Sequence, residues 1–179
     1  MTKTNILKSS TKSIPLKWYF DSKHYVKELS KIWNSEWIYV CHEENLNEPL
    51  KYITLTISKI NILLLRDKSN SIKAYLNTCR HRGSIICPNK KGKLKKNILT
   101  CPYHQWSYNA SDGKLLKTSS FKIPRNFLIS NYGLKKIEIK IWNGLVFINL
   151  KNKLKWNHKR RFQDYDPIIN KLNLEKYKV

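Results

Sequence analysis

The sequence predicts a mainly β, antiparallel domain preceded by one N-terminal α-helix. Short apolar or alternating segments recur about every dozen residues with turn residues between them. One Asn-Gly pair joins two segments whose facing positions are all apolar. Only one stretch, near the N-terminus, carries apolar residues at clear helical spacing.

Asp21-Ser22 can cap a helix running to about Glu36, with Tyr25, Val26, Leu29, Ile32 and Trp33 along one face. Strands follow at Trp37 to Cys41, Tyr52 to Ser58, Ile60 to Leu65 and Ile72 to Leu76. The last two are separated by the turn-rich tetrad Asp67-Lys68-Ser69-Asn70. The lysine-rich stretch Lys90 to Asn97 reads as flexible, and Ile98 to Cys101 as a brief strand. Ser107-Tyr108 and Lys114 to Leu116 flank a hairpin loop that closes on Gly113. Lys136 to Trp142 and Leu145 to Leu150 flank Asn143-Gly144. A two-residue turn there sets Ile141 opposite Val146, Ile139 opposite Ile148 and Ile137 opposite Leu150. The organisation expected is an N-terminal extension and helix over 1–36, the β domain over 37–150, and a basic tail over 151–179.

Hydrophobic residues at 41% and aromatics at 12% of 179 positions suffice for one domain core and exclude wholesale disorder. The longest aliphatic run, Ile62 to Leu65, is far short of a membrane span, and the first residues show no secretory signal. The expectation is a cytoplasmic protein with no membrane partner. A net charge of +23 would ordinarily suggest a polyanion. Yet only six of the 35 basic residues are Arg, and the lysines are scattered over the whole chain. No nucleic-acid partner is expected, since arginine forks are the stronger mark of base and phosphate reading. An acidic protein partner suits the charge better.

Two motifs carry the chemistry: Cys79-Arg80-His81-Arg82-Gly83 and Cys101-Pro102-Tyr103-His104-Gln105-Trp106. Each sets a thiol and an imidazole together at the end of a predicted strand. One alternative is two buried cysteines beside two ordinary polar histidines. Another is a zinc-stabilised basic binding module. Structural zinc usually takes paired cysteines and then paired histidines, whereas each half here is mixed. The one-residue gap of Cys79-Arg80-His81 is also tight for two ligands on one tetrahedral ion. A binuclear iron–sulfur cluster fits better, with two thiolates on one iron and two imidazoles on the other. Gly83 would allow close passage of backbone and Pro102 would stiffen the second loop.

CRHRG followed by CPYHQW resembles the Rieske [2Fe–2S] motif. The wider chain is similar to the N-terminal part of the large (alpha) subunit of Rieske-type non-haem iron, aromatic-ring-hydroxylating oxygenases. The likeness runs over roughly 15–150, from PLKWYFDSKHYVKELSKIWNSEWIYVCH through NTCRHRGS and CPYHQWSYNASDGKL to NYGLKKIEIKIWNGLVFINL. It implies an antiparallel Rieske-type β sandwich with two cluster-binding loops. Cys79 and Cys101 would bind one iron of a [2Fe–2S] cluster, and His81 and His104 the other. It further implies single-electron transfer from a ferredoxin or flavin reductase to a mononuclear iron oxygenase site.

Respiratory Rieske proteins carry an extra cysteine in each loop. Tyr103 stands at one of those positions, so that bridge cannot form, and Cys87 reads as a small buried hydrophobe. Those proteins also place a sulfur-bonding serine where this chain has Trp106, which implies a cluster that is harder to reduce. Tyr108 can still supply one hydroxyl. Gln105 stands where many relatives have glycine, and resembles members that demethylate small quaternary amines. His24 and His42 read as surface or capping residues. After His104 only His158 remains, so the family's two-His-one-carboxylate iron is not expected in this chain. Asp164 and Asp166 read as part of a solvated tail. The oxidising half would belong to a separate catalytic chain or a lost domain. The alternative is a stand-alone Rieske ferredoxin-like carrier, which residues 15–40 argue against because a simple carrier needs only the β domain.

Overall fold

The computed structural model describes residues 12–119, 126–151, 155–157, 159 and 162–178. Three antiparallel sheets make the body of the domain. The strands are β1 (Ile38–His42), β2 (Lys51–Ile57), β3 (Ile60–Arg66), β4 (Ile72–Leu76), β5 (Lys91–Lys93), β6 (Ile98–Thr100), β7 (Ser107–Asn109), β8 (Leu115–Lys117), β9 (Glu138–Trp142) and β10 (Leu145–Asn149). They are ordered β1-β10-β9, β4-β3-β2-β5 and β6-β7-β8. The mainly β expectation therefore holds. Among the described residues no helix is long and apolar enough to cross a membrane.

The aliphatic run in β3 organises the interior. Ile62, Leu63, Leu64 and Leu65 are all fully buried, and side chains alternate across a strand. Ile62 and Leu64 therefore enter one core with Leu46, Ile72, Ile137, Val146 and Ile148. Leu63 and Leu65 enter a second with Tyr75, Leu99, Trp106, Tyr108, Leu115 and the two motif cysteines. A continuous apolar run is what a strand covered on both faces requires.

The β9–β10 hairpin turns at Asn143 and Gly144, both at positive φ, as a tight two-residue turn demands. Ile141 pairs with Val146 and Ile139 with Ile148 as expected. The third expected pair does not form. The ladder ends at Glu138 and Asn149, because the Ile137 amide instead donates to Ala74 O at 2.9 Å, stitching this sheet to β4. The lysine-rich stretch expected to be flexible contains β5, an edge strand on β2. Lysines suit an exposed edge. Gly92 is required there, since a Cβ would come within 2.6–2.8 Å of the Tyr52 ring.

The N-terminal helix is shorter than expected. Asp21 caps it by accepting from Lys23 N (2.8 Å), and α1 (Ser22–Glu28) passes into a π-helical turn over Leu29–Trp33. Its apolar face is not buried: Tyr25, Val26, Ile32 and Trp33 are all exposed. After β10, Trp156 and Phe162 stack on each other and meet Phe147 at a tilt. Asp166 opens α2 (Asp166–Leu172) and, rather than being merely solvated, accepts from the Trp142 indole at 3.1 Å. His158 lies outside the described residues.

Candidate metal centre

The two motif loops are built alike, although their sequences differ. In the first, which leaves β4, the Cys79 amide donates to Ser84 O (2.8 Å) and Cys79 O accepts from Gly83 N (3.0 Å). In the second, which joins β6 to β7, the Cys101 amide donates to Trp106 O (2.9 Å) and Cys101 O accepts from Gln105 N (3.0 Å). Each cysteine is thus held by the residues four and five positions later. In each loop the fourth is left-handed, with φ +74 at Gly83 and +56 at Gln105. Gly83 is needed for that backbone conformation and not for closeness, because a Cβ there would meet nothing within 4 Å. Gln105 carries a side chain in the same strained region.

The loops place their donors in two pairs. Cys79 and Cys101 are 3% and 1% exposed and belong to the second core. His81 and His104 sit nearer the surface with ring centroids 4.8 Å apart. The two thiols singled out in the sequence are thus neighbours in one core, and the two imidazoles stand side by side.

Burial pushes the Cys79 thiol up. The Tyr108 hydroxyl and the His81 backbone N–H favour its thiolate, while the neighbouring Cys101 opposes it. His81 is held below the ordinary histidine value by burial, then by the charges of His104 and Arg82, which keeps it neutral and able to ligate.

The surroundings supply what a buried cluster needs. Tyr108, fully buried, places its hydroxyl 3.1 Å from Cys79 Sγ while accepting from Arg80 N at 3.0 Å. Trp106 lies parallel to His81, with centroids 4.7 Å apart and planes 9° apart. Tyr103, 60% exposed, leans on His104 at 3.8 Å. A groove of about 560 Å³ runs past Tyr103, His104 and Gln105 to Lys117.

Asn77 was not legible as a site residue. It is fully buried, and its Oδ1 accepts from Ile86 N (3.2 Å) and Cys87 N (2.9 Å). Its Nδ2 donates to Cys87 O and Asn61 Oδ1, both at 2.8 Å. One side chain thereby pins both ends of the first loop. An asparagine two residues before the motif cysteine was the only signal available. Cys87 is buried in the core with its thiol pushed up to about 12 by burial, as a small hydrophobe should be. His42 caps Glu43–Leu46, accepting from Glu44 N at Nδ1, and is buried with its Nε2 2.9 Å from Leu174 O.

One feature of the fold bears directly on whether this donor set suits a [2Fe–2S] cluster. The Nδ1 atoms of both His81 and His104 are buried without a hydrogen-bond partner. An orphaned buried nitrogen is costly, and two on neighbouring rings are unusual unless something binds them. Burial favours the neutral thiol at Cys79, and bound iron is what would stabilise a thiolate there. The residues fit the group.

Comparison with known proteins agrees. The family model of the Rieske [2Fe-2S] domain matches residues 36–127. The glycine betaine monooxygenase oxygenase subunit of Pseudomonas aeruginosa is 36% identical over 138 residues, covering 77% of this chain and 31% of its own length. The chloroplastic choline monooxygenase of Spinacia oleracea is 32% identical over 140 residues, covering 78% and 31%. Among solved structures, the quaternary ammonium Rieske monooxygenase CntA superposes with a TM-score of 0.78 at 28% identity, covering 86% of this chain and 42% of that one. Naphthalene 1,2-dioxygenase shares the fold, with a TM-score of 0.70 at 22% identity over 83% and 32%. The chain spans about a third of the length of the curated relatives it matches.

Proposed function

The chain belongs to the Rieske [2Fe-2S] domain family, and from that premise we propose that it is the electron-accepting domain of a Rieske-type oxygenase large subunit. Cys79 and Cys101 hold one iron of the cluster, and His81 and His104 hold the other through Nδ1. The cluster, when bound, takes up and gives back one electron at a time. The chain's own residues decide where that exchange occurs. The thiols lie inside the core, almost fully buried in one apolar cluster with Leu63, Leu65 and Leu99. The imidazoles lie at the rim, where a partner can come close.

The electron donor is a ferredoxin or flavin reductase with an acidic face, which a chain of net charge +23 attracts. The acceptor is a mononuclear iron held by two histidines and a carboxylate outside these 179 residues, on a catalytic domain or a partner chain. The relatives named for glycine betaine and choline support a small quaternary amine as the oxygenase's substrate. For a quaternary ammonium Rieske monooxygenase of known structure, carnitine oxidation and inter-subunit electron transfer are described, and the same route between subunits is the one this chain would serve.

The observation that carries this reading is the pair of orphaned imidazole nitrogens beside two buried, adjacent thiols. Purification followed by metal analysis and low-temperature EPR of the reduced protein tests it. The expected result is a coloured protein with a mixed His/Cys [2Fe–2S] signal, shifted toward an all-thiolate signature in His81→Cys. A colourless zinc protein, or a spectrum untouched by His81→Cys, would overturn it.

A further inference from the structure

Resting on the cluster reading above, the geometry points to Trp106 as the positioning residue of His81, an indole that fixes the plane of the imidazole and hence the direction of its Nδ1. The last torsion of a histidine side chain is broad, so the backbone of the first loop does not by itself set the ring plane. A ligating histidine is usually oriented by a hydrogen bond to its second nitrogen. Here a flat surface does that work: the Trp106 and His81 rings are 4.7 Å apart and within 9° of parallel.

Trp106 can serve as a fixed surface because it is itself held. It is 6% exposed, and Phe127 and Tyr132 meet it edge-on at 6.0 and 5.7 Å. Those two rings stack on each other at 4.3 Å and 15°. The backbone of Trp106 closes the second loop on the Cys101 amide. The second loop therefore orients a ligand contributed by the first. His104 has no equivalent: its only described ring neighbours are His81 and Tyr103, and Tyr103 is tilted by 35° and largely exposed. Of the two imidazoles, only His81 is described against a buried, parallel ring.

The test uses the full chain with its cluster and the variants Trp106→Leu and Trp106→Phe. Pulsed EPR of the reduced, ¹⁵N-histidine-labelled protein reads the coupling of each ligating nitrogen, and a chelator reads iron release. Trp106→Leu is expected to shift or broaden one coupling and leave the other. It should also speed iron release roughly two- to tenfold, the worth of an aromatic pair. Trp106→Phe, which keeps a ring, is expected to restore both. Unchanged couplings in Trp106→Leu, or no rescue by Trp106→Phe, overturn the inference. If Trp106→Leu does not fold, Phe127→Leu removes a ring behind Trp106. It is expected to broaden the same coupling, and an unaltered spectrum overturns the inference equally. A parent protein with no mixed-ligand signal would instead overturn the cluster reading itself.

Discussion

Replacing Asn77 with alanine should be among the most damaging single changes outside the ligands. The substitution strips partners from three buried backbone groups: the Ile86 and Cys87 N–H and the Cys87 C=O. Ile86 and Cys87 are only 3% and 6% exposed, so water does not readily take the place of the lost amide. The fourth partner, Asn61, is less buried and can be rehydrated. A buried group left unsatisfied costs about 1–3 kcal/mol, and partial relaxation of three of them gives about 3–5 kcal/mol in all. With a urea slope of about 2 kcal/mol/M, the unfolding midpoint should fall by about 2 M. Tryptophan fluorescence in a urea titration measures this directly. Asn77→Asp keeps the acceptor but loses the donor, and should fall between the parent and the alanine variant. A loss below about 1 kcal/mol in Asn77→Ala would refute the claim that this amide pins the first loop.

The other predictions concern the cluster environment and the turns. Tyr108→Phe removes the hydroxyl 3.1 Å from Cys79 Sγ, so the reduction potential of the loaded protein should become more negative, read by redox titration. Gln105→Gly relieves a left-handed φ of +56 and should stabilise the chain by about 0.5–1 kcal/mol in the same urea assay, after the added freedom of the unfolded glycine is subtracted. Burial pushes the Asp67 carboxyl up, but Ser71 N–H, the Ser69 and Ser111 hydroxyls and Lys73 together hold it below the usual aspartate value. The unfolded chain therefore binds that proton first. The stabilisation is full above the ordinary value near about pH 4 and is lost as pH falls through the lower folded value. Melting temperature against pH should show this fall in the parent and a shallower one in Asp67→Asn.

Much of the fold was legible because the responsible signals are local. Asn143-Gly144 dictated a tight hairpin and two of its three expected pairs, and apolar runs between turn residues marked β2, β3 and β4. The misses share a cause. Ile137 left its expected partner because a better-placed carbonyl, Ala74 O, belongs to a strand far away in sequence. The helix face of Tyr25, Val26, Ile32 and Trp33 has the right period, but periodicity does not say what covers it. β5 escaped notice because an edge strand of lysines around Gly92 has no apolar alternation to read. Its place follows from Tyr52 lying across the glycine.

The four donors and their pairing into one thiol and one imidazole per loop were already written in the order of the residues, because ligand identity and spacing are properties of short segments. Their arrangement was not. The stacking of Trp106 on His81 and the reach of Tyr108 to Cys79 join residues from different strands or loops, and Asn77 ties the far end of its own loop to β3. Such contacts exist only once the sheets have closed around a shared core, which sets distance and angle together.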